Sequence, residues 1–318
     1  MSAEGSARAA RPYRGWKRCA ASLLRAGLRS YVRFAPWSPF KAAALRKFDH
    51  YLGWVPYSAV VRTRFGFRLM IDAPDLVACT IYMTGQWEPY LTAYIRQCLK
   101  PGDIFVDVGA NIGYHSLLAA RIVGPTGRVY SIEASPSIYA RLAENIRLNR
   151  CRNIEPLHAV VADTPGEAAI WLGPPQHRGH STTVPRLATA EGMHFEARVR
   201  ADTIASLVGP EVLRRARLVK IDVEGAERAV LAPVLNGSAA VGHDTEWLVE
   251  LTPGYCTGGQ SDADWIFDSF MSMGYVAHVL PNAYEVGCYL ARPRAPQLQA
   301  VEKMPQHQAD VLFKRRIH

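Results

Sequence analysis

Between residues 101 and 293, short apolar runs alternate with longer stretches in which apolar residues recur every third or fourth position. The runs predict strands over 104–108, 128–133, 154–161, 217–221 and 246–251, and the periodic stretches predict helices over 111–122, 136–149, 224–235 and 262–273. Strands alternating with helices imply right-handed βαβ units, hence an α/β domain with a mostly parallel sheet and helices on both faces. Upstream, over 51–100, Val60 to Ile71 alternates about Gly66 as a small hairpin does, and Trp87, Leu91, Tyr94, Ile95 and Cys98 mark an amphipathic helix stopped at Pro101-Gly102. A short strand near 167–172 leads into 173–183, which has no period and reads as a specificity loop. Segments 275–280 and 286–291 predict a closing antiparallel hairpin, and 294–318 reads as a polar tail.

The chain is 49% apolar over 318 residues, enough to bury a large core. Its six cysteines are scattered without a CxxC pair, which excludes a disulfide framework or zinc module and fits a reducing cytosol. The net charge of +9 is a local property: residues 1–50 hold eleven Lys or Arg against Glu4 and Asp49, and the rest balances. Within this arm Trp16, Ala20, Leu23, Leu24, Gly27, Tyr31 and Phe34 form one helical row and Arg25, Arg29 and Arg33 the opposite one. Three readings follow: adsorption to an anionic membrane surface, a helix packed on the body with a solvated Arg face, or an Arg-rich organellar transit peptide. No run is long enough to span a membrane, and the neutral body disfavours nucleic acid.

Candidate chemistry concentrates in Ile104-Phe-Val-Asp-Val-Gly-Ala-Asn-Ile-Gly-Tyr-His-Ser116, an apolar strand entering a glycine turn and then a helix. Gly109 and Gly113 permit a close backbone approach, and a helix starting near Asn111 directs free N–H groups into the crevice. Glu133, at the end of the next strand, is placed to accept hydrogen bonds from ribose hydroxyls. Those features suit an adenosine cofactor, and Asp107 beside the turn suits one bearing an ammonium or sulfonium group better than a pyrophosphate. A second acidic strand end, Leu218-Val-Lys-Ile-Asp-Val-Glu-Gly-Ala-Glu227, either serves the same crevice or merely caps a helix.

Gly102 to Tyr114, Ile132-Glu-Ala-Ser-Pro136 and Val219 to Glu227 together resemble FkbM-type S-adenosylmethionine-dependent methyltransferases, with similarity running from about Ile81 to Glu250. The resemblance implies a Rossmann-like class I methyltransferase with a seven-stranded, mostly parallel sheet and a C-terminal antiparallel hairpin. It further implies O-methylation of a sugar, glycolipid or secondary metabolite in carbohydrate or natural-product biosynthesis. Carried over by position, it sets the methionine part of S-adenosylmethionine against Asp107, Gly109, Ala110, Asn111 and Gly113. The ribose falls to Glu133, and the adenine to Ala162 and Asp163. Residues 1–50 have no counterpart in the resemblance.

Methylation of a hydroxyl needs a group to take or polarise its proton. Asp222 is the first choice and Glu224 the second, with His180 and His243 as loop candidates. A divalent metal on Asp222 and Glu250 is a less favoured option, because hard cations take several oxygen ligands. Two rival readings are an NAD-linked dehydrogenase or epimerase and a non-catalytic membrane- or RNA-binding protein working through the arm.

Overall fold

The computed structural model describes residues 15–35, 40–51, 55–237, 241–254, 261–281, 286–291 and 296–315. Five parallel strands form its centre, in spatial order Glu246–Leu251, Ala216–Ile221, Ile104–Val108, Arg128–Glu133 and Ile154–His158. They read as continuous apolar runs because both faces are covered. Phe105, Leu117, Leu218 and Leu248 belong to one buried cluster, and Val106, Val219, Trp247 and Val249 to the other. The chain steps outward from the Ile104 strand through Arg128 to Ile154, then returns to lay Ala216–Ile221 on the other side. That reversal opens a crevice at the carboxyl ends of the Ile104 and Ala216 strands, where open α/β sheets hold their ligands.

The α/β, mostly parallel, Rossmann-like architecture is as expected, with one rearrangement at its edge. The second arm of the C-terminal hairpin is Ala309–Arg315, not 286–291, and a short strand, Gln299–Val301, brings the sheet to eight strands. Ala309–Arg315 lies between Glu246–Leu251 and Tyr275–Leu280, a position buried on both faces, which Val311, Leu312 and Phe313 fill completely. Val286–Leu290 is instead a short helix that sets Tyr289 against Trp87 and accepts a 2.8 Å bond from Gln86 Nε2.

Two other expectations shift. The helix after the glycine turn begins at Tyr114, because Gly109, Asn111 and Gly113 all adopt positive φ and keep 109–113 as a turn. The predicted strand 154–161 breaks at Ala159. Ile154–His158 stays in the main sheet, and Val160–Val161 enters a second sheet of order Val160–Val161, His194–Asp202, Gly166–Leu172, Ser181–Thr182. The aperiodic segment 173–183 is the connection that closes this second sheet over the crevice.

Helix Leu76–Thr84 has no amphipathic signature because it is apolar nearly all round, although Asp75 caps its start by accepting from Ala78 N at 2.9 Å. Against it lies helix Gly15–Phe34, and here the reading of a solvated Arg face is reversed. Arg25 is 5% exposed and sits 4.2 Å over the Tyr57 ring, and Arg29 lies 4.8 Å over Tyr82. Arg33 donates to the carbonyls of Ile81 (2.8 Å), Tyr82 (2.9 Å) and Arg62 (2.7 Å), satisfying the open end of helix Leu76–Thr84. The arginines bind the body because those carbonyls and ring faces need cationic partners.

Phe313 stacks on Phe270 with ring centroids 4.2 Å apart and is fully buried. Phe313→Ala is expected to lower unfolding free energy by about 3–5 kcal/mol in a urea titration. A change under about 1 kcal/mol would contradict a central place for this strand.

Candidate active site

Lys220 is the only basic residue within the strand Ala216–Ile221 that is buried, and it lies in register with Asp107 on the neighbouring strand. Its Nζ is 3.6 Å from Asp107 Oδ1 and 3.0 Å from Asp222 Oδ2, and it donates to the Gly109 carbonyl at 3.4 Å. Burial opposes the ammonium charge, but Asp222, Asp107 and Glu88 outweigh it and hold Lys220 charged. Asp107 also accepts a 2.5 Å bond from Ser116 Oγ, which in turn accepts from Ser131 Oγ at 2.8 Å. The cation that Asp107 meets is therefore Lys220. Asp107 has no exposed surface and does not line the crevice.

The glycine turn is locked from both sides by protein. A Cβ on Gly109 would fall 1.8 Å from the Asp222 carbonyl oxygen, and one on Gly113 2.6 Å from Leu142 Cδ1. Asp222 N donates to the Val108 carbonyl at 3.1 Å, so the two acidic motifs are a single packed unit. The N–H groups expected to be free are used internally. Gly109 N and Ala110 N donate to Ile132 O, Asn111 N to Glu133 Oε2 at 2.9 Å, Ile112 N to Asn111 Oδ1, and Gly113 N to Ala110 O. Three positive-φ residues in five curl the backbone back onto itself, which a helix begun at Asn111 would not do.

Around this unit a cavity is walled by Gly109, Asn111, Ile132 and Glu133 on one side and by Asp222, Glu224 and Glu250 on another. Ala110 lines a smaller adjoining cavity with His115 and Lys220, whereas Gly113 lines neither. Glu133 accepts from Asn111 N and from Ser135 N, both at 2.9 Å, so its carboxylate is aimed before any ligand arrives. Burial raises its pKa to about 7 against the pull of those N–H groups. Val160 and Val161, not Ala162 and Asp163, form the wall beyond Glu133. The break at Ala159 turns the chain into the second sheet, so that Ala162 N bonds Asp202 O and Asp163 is exposed.

On the opposite wall, Asp222, Glu224 and Glu250 each bring an oxygen within 4.8 Å of the others, a spacing compatible with a metal ion. Glu250 does not hold Lys220; it accepts from Gln308 Nε2 at 2.7 Å. Its pKa is driven well above the ordinary value by burial and then by Asp222 and Asp310. His180, carried by the closing segment, sits with Nε2 3.1 Å from Glu224 Oε2 and Nδ1 3.3 Å from Glu191 Oε2. Burial disfavours its charge, yet the bond to Glu224 with the charges of Glu224, Glu191 and Asp222 raises its pKa overall. The same segment is fastened at two more points: Gly179 N donates to Asp75 Oδ2 (3.1 Å) and Thr182 Oγ1 to the Glu224 carbonyl (2.8 Å). His243 is not brought here. It precedes the amino end of strand Glu246–Leu251, at the opposite edge of the sheet, where it is exposed beside Asp244.

Several wall residues carry no local pattern that sequence reasoning uses. Asp75, Val77, Glu88 and Gln308 reach the cavity from the lead-in region and the C-terminal segment, as does Trp87, which the sequence marks only as a helix position. Glu88 is raised well above the ordinary carboxyl range by burial and then by Asp310 and Asp222. His115, 3.7 Å away, has its pKa pushed well down by burial and by Lys220. Only Lys220 had a readable signal, a lysine inside an apolar strand.

The family model described as methyltransferase FkbM domain matches residues 107–277 of this chain. Among curated proteins, a protein-L-isoaspartate O-methyltransferase of Ignicoccus hospitalis is 35% identical over 68 residues, 21% of this chain and 32% of that protein. An arsenite methyltransferase of Halobacterium salinarum is 33% identical over 57 residues, 18% of this chain and 15% of that protein. The chain thus matches about a third or less of these relatives' length. Among solved structures, a methyltransferase FkbM from Methylobacillus flagellatus KT aligns at 12% identity and TM-score 0.41, covering 74% of this chain and 52% of that one.

Two outcomes follow from this geometry. Glu133 and Asp310 are raised to about 7, with Glu88 and Glu250 also raised, so the folded state binds these protons more tightly than the unfolded chain. Stability of the ligand-free protein is therefore expected to fall as pH rises from about 5 through 7, read as a decreasing melting temperature. A melting temperature that rises over this window would contradict the burial described. Lys220→Met, which leaves the buried Asp107 without its cation, is expected to cost about 3–5 kcal/mol in chemical denaturation at pH 7.5.

Proposed function

The chain belongs to the FkbM methyltransferase family, and from that membership we propose that it transfers a methyl group from S-adenosylmethionine to a hydroxyl oxygen of a sugar, glycolipid or secondary metabolite. The observation that carries the reading is the pairing of two walls. A pre-aimed Glu133 beside the Gly109–Asn111 turn faces an acidic wall of Asp222 and Glu224 across one cavity. Each Glu133 oxygen already takes one backbone N–H and has a second lone pair for a ribose hydroxyl. Gly109 and Asn111 bound the methionine side, and Val160 and Val161 offer an apolar flank to the adenine.

When bound, S-adenosylmethionine would supply a methyl on a sulfonium, to be bonded by the acceptor oxygen as the carbon–sulfur bond breaks and the neutral thioether S-adenosylhomocysteine leaves. The carboxylates of the cavity favour such a cationic cofactor over an anionic one. Asp222 takes the acceptor proton in this scheme. Its Oδ2 is fixed by Lys220, which orients the carboxylate and leaves Oδ1 for the hydroxyl. His180, protonated more readily than an ordinary histidine and tied through Nε2 to Glu224 and through Nδ1 to Glu191, positions the Glu224 carboxylate rather than acting as a base. Against the NAD-linked reading, the internal use of the N–H groups from Gly109 to Gly113 leaves none of them to cradle a pyrophosphate.

A second reading adds a divalent cation held by Asp222, Glu224 and Glu250, where it would polarise the acceptor hydroxyl. Glu250 is already engaged by Gln308 Nε2 at 2.7 Å, and the three carboxylates are few oxygen ligands for a hard cation, so the metal-free scheme is preferred. Titration calorimetry with S-adenosylhomocysteine is expected to give a 1:1 isotherm at micromolar ligand. A folded sample that evolves no heat and shows no thermal shift would overturn the proposal. Asp222→Asn should keep that binding within a few-fold while lowering turnover of a methylated acceptor by about 10²–10⁴. Equal turnover with EDTA and with magnesium would exclude the metal variant.

A further inference from the structure

Within the apolar row of helix Gly15–Phe34, Tyr31 packs on the core and the positions from Ala20 to Gly27, with Phe34, face outward. With the arginine row spent on the body, Leu23 is 75%, Leu24 56% and Phe34 80% exposed. Ala20 and Gly27, between them on the same row, are exposed as well. Seven large hydrophobic side chains are exposed among the described residues, and these three are gathered on one helix face. Such a stripe loses apolar hydration only when something covers it.

We infer that this face adsorbs to an anionic lipid surface, with Leu23, Leu24 and Phe34 entering the interface and the basic residues of the first 50 positions other than Arg25, Arg29 and Arg33 meeting headgroups. Charge decides the occupant. Apart from Arg25, Arg29 and Arg33, the segment up to position 48 holds eight Lys or Arg against Glu4 alone, and Arg46 and Lys47 on the following helix Phe40–Tyr51 are exposed. A second copy of this chain, paired through the same face, would set two such basic segments against each other. Anionic headgroups attract them, at about 1 kcal/mol per Lys or Arg near the surface. No described helix is long and apolar enough to cross a membrane, so the contact is peripheral. Structurally the anchor is not a loose appendage. Arg33 grips the carboxyl end of helix Leu76–Thr84, whose opposite end carries Asp75 and Val77 at the cavity wall, roughly 14 Å along the helix.

The test uses the full chain, co-sedimented with vesicles of phosphatidylcholine alone or mixed with phosphatidylglycerol. Wild type is expected to pellet with the mixed vesicles, to do so far less with neutral ones, and to be released by salt. The variant L23S/L24S/F34S, altered only at exposed positions, should lose at least tenfold in partitioning while its thermal unfolding curve stays within 2–3 °C of wild type, a shift of roughly 1 kcal/mol or less. Three results would overturn the proposal: no binding of wild type to mixed vesicles, equal binding of the variant, or a wild-type dimer in sedimentation velocity that the variant converts to monomer.

Discussion

Lys220 sits between Asp107 and Asp222 on two adjacent strands, at the point where the order of the sheet reverses. An ammonium buried there without partners would be costly, and so would the fully buried Asp107 carboxylate without the ammonium. Together they bring the carboxyl ends of Ile104–Val108 and Ala216–Ile221 into one register, and the Gly109 turn then closes onto the Asp222 backbone with no room for a side chain. Everything that faces the cavity from these strands takes its position from that clamp. It aims the Asp222 carboxylate and fixes the turn whose Asn111 N–H holds Glu133.

One cation does not neutralise the acid around it. Glu88, Glu250 and Asp310 are buried beside Asp107 and Asp222, and three of these carboxyls answer by taking up protons more readily than in water. The wall opposite Glu133 still presents Asp222 and Glu224, which suits a sulfonium cofactor and an acceptor hydroxyl that must shed a proton. His180 adds the one movable positive group on that wall, held by Glu224 and delivered by a segment that the second sheet fastens at Asp75 and at the Glu224 carbonyl.

The same accounting of charge explains the amino-terminal helix. Carbonyls at the end of Leu76–Thr84 and the rings of Tyr57 and Tyr82 take the arginines, because each is a site where a cation gains more than it does in water. The helix thus turns its arginine row to the body beside Val32 and shows Leu23, Leu24 and Phe34 to solvent.

Periodicity along the chain determined the central strands, the helices between them and the α/β class, because local alternation reports directly which faces are covered. Spacing likewise picked out the Gly109 turn, Glu133 and the acidic run at Asp222 and Glu224, since each ends a strand beside the same crevice. Only the tertiary structure decided which polar groups meet. It gave Asp107 to Lys220, moved the adenine-side wall to Val160 and Val161, left His243 at the far edge of the sheet, and brought in Glu88 and Gln308 from distant segments. It also chose Ala309–Arg315 over 286–291 for the inner strand of the hairpin and turned the arginine row inward. A sequence records which residues are apolar or charged at each step of a helix or strand. Which face of an amphipathic element is buried depends on the partners that another part of the chain presents, and those partners exist only once the chain has folded.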